Sequence, residues 1–173
     1  TTSLLNEYRN SSENDTTVRE IAEKLNRNLC ARNPENFFIT MFLCVIDLRT
    51  GELKYCNCGH NKSYIISAAG DLKPLEEVNG MPLGVAPIDY GISETIMLEK
   101  GDRIFLYTDG IVEAFNEKGE IYTEKRLEEN LVKHAGDGIK EIVTAISGSV
   151  AAFAGDEPQS DDLTMFCVHF KGR

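Results

Sequence analysis

The feature that most constrains the fold is a pair of apolar runs that each meet a short acidic turn. Arg103-Ile104-Phe105-Leu106-Tyr107 runs into Thr108-Asp109-Gly110, and Ser160-Asp161-Asp162-Leu163-Thr164 leads into Met165-Phe166-Cys167-Val168. Apolar runs of this length, bounded by turn residues, read as strands covered on both faces. A carboxylate at the tip of a core strand is held rigidly and still reaches solvent, which suits a hard, oxygen-seeking cation. Either segment alone is also what an ordinary turn looks like, because Asp and Gly are turn formers. The surrounding sequence decides between these readings.

A chain of 173 residues is read as a single domain, with enough length for a sizeable core. Its 28 acidic residues against 18 basic ones leave a net charge of −10. No basic cluster exceeds two adjacent residues, which disfavours nucleic acid and an anionic membrane surface as partners. No apolar stretch approaches a membrane span, and no charged-then-apolar leader opens the chain. Cysteines number five, an odd count, and Cys44 and Cys167 lie inside apolar strand-like runs. They read as reduced core residues, so the expected compartment is cytoplasmic. The opening Thr1-Thr2-Ser3 suggests a piece of a longer protein.

Leu4, Leu5 and Tyr8 form a short helical pattern, followed by a polar stretch from Asn10 to Asp15. Thr17-Val18-Arg19-Glu20 has capping-box spacing, and Val18, Ile21, Ala22, Leu25 and Leu29 then recur at helical intervals, predicting a helix over 16–30. Phe37 to Leu48 reads as one long buried strand, turning at Arg49-Thr50-Gly51-Glu52 into a partner over 53–58. Further strands are expected at 63–67, 92–98, 103–107 and 163–170, and helices at 124–133 and from Ile139 to Phe153. The Gly- and Pro-containing stretch 80–91 reads as an ordered loop or bulged edge. Antiparallel-looking strands with grouped helices indicate an α+β fold, not an alternating βαβ one. A sheet packed on a second sheet with helices outside satisfies the pattern.

Six short motifs occur in one order: Asn57-Cys58-Gly59-His60-Asn61, Gly80-Met81-Pro82-Leu83-Gly84-Val85, Gly101-Asp102, Leu106-Tyr107-Thr108-Asp109-Gly110, Glu113-Ala114 and Asp161-Asp162-Leu163-Thr164. In this order the chain resembles the bacterial SpoIIE-type phosphatases, a branch of the metal-dependent PPM (protein phosphatase 2C-like) family that includes sigma-factor regulatory enzymes. The resemblance runs from about Leu4 to the C-terminus. It implies a β-sandwich of antiparallel sheets flanked by helices. It also implies a binuclear Mn²⁺ or Mg²⁺ centre whose bound water attacks a phosphoserine or phosphothreonine. Carried over, Asp109 and Asp161 are the metal-binding and catalytic residues. Asp162, which stands where eukaryotic relatives carry Asn, is counted with them in the metal site but placed behind the direct ligands, because strand alternation would point Asp161 and Asp162 to opposite faces. Gly110 is expected to let the chain turn away after the ligand. Two bare carboxylates at ~4 Å repel by about 4 kcal/mol at an effective dielectric near 20, so such a pair makes sense mainly as a metal site.

The resemblance is incomplete. The family's other acidic ligands lie in two N-terminal motifs, one like Gly-Gly-Asp-Phe-Tyr-Asp and one an Asp-Val-x-Gly strand end, and neither occurs here. The expectation is therefore a partial domain over 1–173, lacking the N-terminal strands and inactive by itself. Its implied partner is a phosphorylated STAS-type anti-anti-sigma factor, and sheet edges left uncovered suggest a homodimer. A catalytically inactive binding module on the same fold is the second reading. A third is a zinc site on Cys56, Cys58 and His60, but their tight spacing and the absence of a second ligand pair favour packing. His60 is expected to fix its loop, and Glu113 to brace the turn after Asp109.

Overall fold

The computed structural model describes residues 18–75, 80–89, 93–159 and 161–172. The helical pattern at Leu4–Tyr8, the polar stretch to Asp15, the capping residue Thr17, and Gly91, Ile92 and Ser160 lie outside the described residues. The chain divides into two compact units, residues 1–60 with 77–97 and residues 61–76 with 98–173. Among the described residues all strand pairing is antiparallel, and with three described helices the chain is α+β, as the pattern predicts.

In the first unit, helix α1 (Val18–Cys30) lies ahead of a three-stranded sheet of order β1–β2–β5. Its strands are β1 (Met41–Ile46), β2 (Glu52–Cys58) and β5 (Glu94–Met97). Val18 and Ala22 of α1 meet Cys56, Cys58 and Leu83 in a small core, with Leu25 and Leu29 half-buried beside it. Asp47 opens the β1–β2 hairpin: it accepts the Gly51 N–H on its carbonyl and the Arg49 N–H on its carboxylate, each at 2.8 Å. The Arg49 guanidinium beside it lowers the Asp47 carboxyl pKa from its ordinary value.

The expected long buried strand from Phe37 to Leu48 is shorter and less buried than its composition suggests. Only Met41–Ile46 forms a strand, half-buried throughout, while Phe37 and Phe38 are 74% and 62% exposed. Asn33 is the cause: its side chain accepts the Phe37 N–H and donates back to the Phe37 carbonyl, holding 33–37 in a closed loop. Ile39 then makes only an isolated bridge to Leu83. Apolar composition alone does not say whether a run is covered.

In the second unit the sheet order is β4–β3–β6–β7, from β3 (Tyr64–Ile66), β4 (Leu72–Pro74), β6 (Arg103–Tyr107) and β7 (Met165–His169). Strand β4 is not expected from the sequence. It has three residues, one a proline, and a proline is tolerated there because β4 is an edge. β6 is central, and its neighbours Ile104 and Phe105, on opposite faces, are 2% and 0% exposed. Helices α2 (Thr123–Lys133) and α3 (Ile139–Ala154) bury Leu127, Leu131, Ile142 and Ile146 in the same core as Phe105 and Tyr107. Buried phenols find acids on α2: Tyr64 donates to Glu128 at 2.9 Å and Tyr107 to Glu124 at 3.4 Å. Desolvation is the main cause that raises both phenol pKa values.

Asp102, of the Gly101-Asp102 motif, is structural. Its nearly buried carboxylate accepts the Ala68 N–H at 3.2 Å and the Glu99 N–H at 2.8 Å, and its carbonyl accepts the Phe170 N–H at 2.8 Å. One side chain thus ties the β3–β4 turn to the entry of β6, and its backbone ties in the end of β7.

Candidate functional site

Strand β6 delivers Thr108 and Asp109 to its end, and the segment entering β7 is laid alongside. Thr108 makes the junction: its N–H donates to the Thr164 carbonyl at 3.1 Å, and its hydroxyl donates to the Asp162 carbonyl at 2.8 Å. The same hydroxyl accepts the Thr164 N–H at 3.0 Å. The threonines flanking the two acidic motifs therefore knit the two turns together. No functional signal in the sequence marked these hydroxyls beyond their recurrence beside the acids.

Gly110 is buried, and a Cβ built on it would lie 2.6 Å from the Asp162 carbonyl oxygen and 3.2 Å from that of Asp161. The chain does turn at 109–113, but the φ of Gly110 is not among the left-handed ones, so the turn itself does not demand glycine. Glycine is required because the backbone of Asp161–Asp162 passes against it. That close approach places the Asp161–Asp162 backbone directly beside the residue that follows Asp109.

All three acids are exposed. Asp109 accepts the Gly110 N–H on Oδ1 at 3.1 Å and the Glu113 N–H on its carbonyl at 2.9 Å. The Glu113 backbone thus braces the turn. Asp161 accepts the Asp162 N–H on Oδ1 at 2.6 Å, and its carbonyl accepts the Gln159 side-chain amide. Asp161 and Asp162 precede β7 in a loop, so strand alternation does not set their directions. Among the described residues none of the three carboxylates has an ion-pair partner, in a chain of net charge −10.

Exposed carboxylate oxygens free of ion pairs are the donors that Mn²⁺ and Mg²⁺ take. As a donor set, Asp109, Asp161 and Asp162 fit such a cation chemically. Among the described residues, however, no three His, Cys, Asp or Glu side chains are gathered as a cation site. The fit is that of part of a shell.

The glycine motifs of the first unit meet one another. Gly59, at φ +72°, lies where a Cβ would sit 2.6 Å from the Pro82 ring, and one on Gly80 would overlap the Asn57 carbonyl. Asn57 closes the loop by accepting the His60 N–H at 2.7 Å and donating to its carbonyl at 2.9 Å. His60 is accordingly held through its backbone. The Cys56 and Cys58 thiols are buried and 3.7 Å apart. Contact with the Cys56 sulfur and burial push the Cys58 thiol up.

Asn26 is a further residue that sequence reasoning missed. It sits in the apolar stripe of α1, fully buried, where its Oδ1 accepts the Gly84 N–H at 2.8 Å. Its amide donates to the Ala86 and Ile88 carbonyls at 2.8 and 3.1 Å. This single side chain holds the 84–88 loop onto α1.

The sequence profile of the family described as Stage II sporulation protein E (SpoIIE) matches residues 1–171. The phosphoserine phosphatase RsbU of Bacillus subtilis is 28% identical over 131 residues, covering 73% of this chain and 39% of that protein. The chain spans 20% of the length of Protein IcfG of Synechocystis sp. and 39% of that of RsbU. The SiaA-PP2C domain of Pseudomonas aeruginosa superposes with a TM-score of 0.73 at 22% identity, covering 88% of this chain and 61% of that one. The phosphatase domain of the cell fate determinant SpoIIE from Bacillus subtilis, presoaked with Mn, gives 0.70 at 18% identity, covering 98% and 72%. At these identities the superpositions establish the fold, which is that of the PP2C-type phosphatase domains.

Proposed function

The chain belongs to the SpoIIE family, and from that premise we propose that it is the C-terminal part of a metal-dependent protein serine/threonine phosphatase domain. The observation that carries this reading is the junction at Thr108. It joins Thr108-Asp109-Gly110 to Asp161-Asp162 and leaves three exposed carboxylates, none in an ion pair among the described residues, on two adjoining turns. An ordinary pair of turns does not need a glycine compressed between two acidic segments.

In this reading Asp109 and Asp161 supply oxygen ligands to a divalent cation, and Asp162 stands behind them. The divalent centre, when bound, supplies an activated water and neutralises phosphoryl oxygens. The chain's own part is positioning. Thr108 clamps the two turns, Gly110 sets their spacing, and the Asp162 and Gln159 hydrogen bonds orient the Asp161 carboxylate and carbonyl. The remaining ligands come from acidic residues outside the motifs present here.

The substrate is a phosphoserine or phosphothreonine of a signalling protein, of the STAS-type anti-anti-sigma class, in the cytoplasm. RsbU's name as a phosphoserine phosphatase supports the residue class. Among the described residues no helix is long and apolar enough to cross a membrane.

A second reading, an inactive binding module on the same fold, is favoured by the lack of a gathered three-ligand cluster among the described residues. Phosphate release from a phosphoserine protein separates the two. The longer natural protein should release phosphate only with Mn²⁺ or Mg²⁺, and Asp109→Asn should abolish release. Release that persists in chelator, or survives Asp109→Asn, would sink the proposal.

A further inference from the structure

A half-open cavity of about 230 Å³, lined by both apolar and polar groups, lies in the second unit, between the C-terminal turns of α3, the turn after Asp109 and the loop entering β7. Its walls include Gly110, Phe115, Ala151, Pro158, Gln159 and Leu163. Gly110 follows Asp109, and Gln159 and Leu163 flank Asp161 and Asp162 on either side. The lining therefore includes residues that adjoin both acidic segments. Gln159 is also the donor to the Asp161 carbonyl.

Size selects the occupant. Small-molecule and cofactor sites run to roughly 300–1,000 Å³, larger than this one. An apolar cavity of about 150 Å³ holds a benzene ring, so one aromatic or large aliphatic side chain fits here. Charge narrows it further: Glu157 is the charged lining residue, which disfavours an acidic occupant.

Resting on the phosphatase reading above, we propose that this cavity is a specificity pocket, taking an apolar side chain that neighbours the phosphorylated residue of the protein substrate. A phosphoresidue at the carboxylates and its neighbour in the pocket would share the wall made by Gly110. Selection then comes from burying the neighbour's ring or branched chain against Ala151, Leu163 and Phe115. A hydrophobic pocket of this kind discriminates by roughly 10–200-fold for one methylene more or less.

The test uses the longer natural protein and short peptides in which the phosphoserine is replaced by its non-hydrolysable phosphonate. The peptides differ only in the neighbouring residue, which is Phe, Leu, Ala or Asp. Binding is measured by fluorescence anisotropy in Mn²⁺. Phe and Leu peptides should bind at least about tenfold more tightly than Ala, with Asp weakest. Ala151→Leu and, separately, Ser147→Leu fill the cavity and should bring the Phe peptide down to the Ala value. Equal affinity across the series on the unaltered protein would overturn the proposal, even if both variants failed to fold. Unchanged Phe preference in a folded Ala151→Leu protein would overturn it too. Turnover of p-nitrophenyl phosphate by the unaltered protein is a separate measurement. Its absence would count against the phosphatase reading while the binding series still decides the pocket.

Discussion

At the scale of single residues, the two acidic turns depend on a glycine that serves by being small. Gly110→Ala should destabilise the protein by about 1–3 kcal/mol, the usual cost of forcing extra volume into a packed site. The atoms it meets, 2.6 Å away, are backbone and cannot swing aside. Gly148 offers the opposite case. It lies within α3 with nothing inside 4 Å of its added Cβ, so Gly148→Ala should stabilise by about 0.5–1 kcal/mol through helix propensity. Urea unfolding of the two variants checks both signs at once. A neutral Gly110→Ala would show that the Asp161–Asp162 backbone is not held where the clamp places it. At the acids themselves, on the phosphatase reading, Asp109→Asn and Asp161→Asn in the chain extended upstream should each remove most phosphatase activity. Folding should be little affected, because each change removes charge and keeps size, and calorimetry should show lost Mn²⁺ binding. Asp162→Asn should be milder. If Asp162→Asn proved the most damaging of the three, the roles assigned to the neighbours would be reversed.

At the scale of elements, most of the architecture is legible in the sequence because periodicity and turn chemistry agree locally. Val18, Ile21 and Ala22 announce α1, and Ile142, Ile146 and Val150 announce α3, because a helix repeats its buried face every three to four residues. The β1–β2 hairpin is announced by Thr50-Gly51 between two apolar runs, and Gly51 does adopt φ +82°. What is not legible depends on contacts distant in sequence. Phe37 and Phe38 look like core and are exposed because Asn33 closes the loop ahead of them. Three-residue β4 is stabilised by pairing with β3, not by any pattern of its own. Asn26 reads as an interruption of an apolar stripe, and only the loop 58 residues later explains it. Asn26→Ala should therefore cost about 1–3 kcal/mol, because the buried Gly84 N–H is left without an acceptor. Hydrogen exchange read by mass spectrometry should then show 84–88 protected less than in the parent, with 103–107 unchanged. Equal loss of protection in both segments would mean that Asn26 supports the whole fold and not that loop. The candidate site divides in the same way: the acids stand out in the sequence, whereas the Thr108 hydroxyl and Gln159 amide that orient them act across 54 residues and within a loop, respectively.

At the scale of the whole molecule, charge and ligand count lead to expectations about what the protein can do alone and with a partner. Among the described residues no three potential ligands are gathered, and the sequence holds neither of the family's N-terminal acidic motifs. Residues 1–173 expressed by themselves should therefore turn over p-nitrophenyl phosphate poorly even in excess Mn²⁺, and robust Mn²⁺-dependent turnover would show that the ligands have been misassigned. Partner choice follows from the net charge of −10, which gives the surface little means to collect an anionic phosphopeptide by long-range attraction. Recognition must then come from contacts made at close range, in the manner of a docked protein surface. Such contacts are weakly screened, whereas steering between exposed charges fades over a Debye length of about 8 Å at physiological ionic strength. On the phosphatase reading, the chain extended upstream to restore the missing motifs should accordingly prefer a folded phosphoprotein over a peptide carrying the same phosphoserine, measured as kcat/KM, and the preference should persist as salt is raised. A preference that collapses with salt would point to charge steering, and equal efficiency on the peptide would point to a broad-specificity phosphatase.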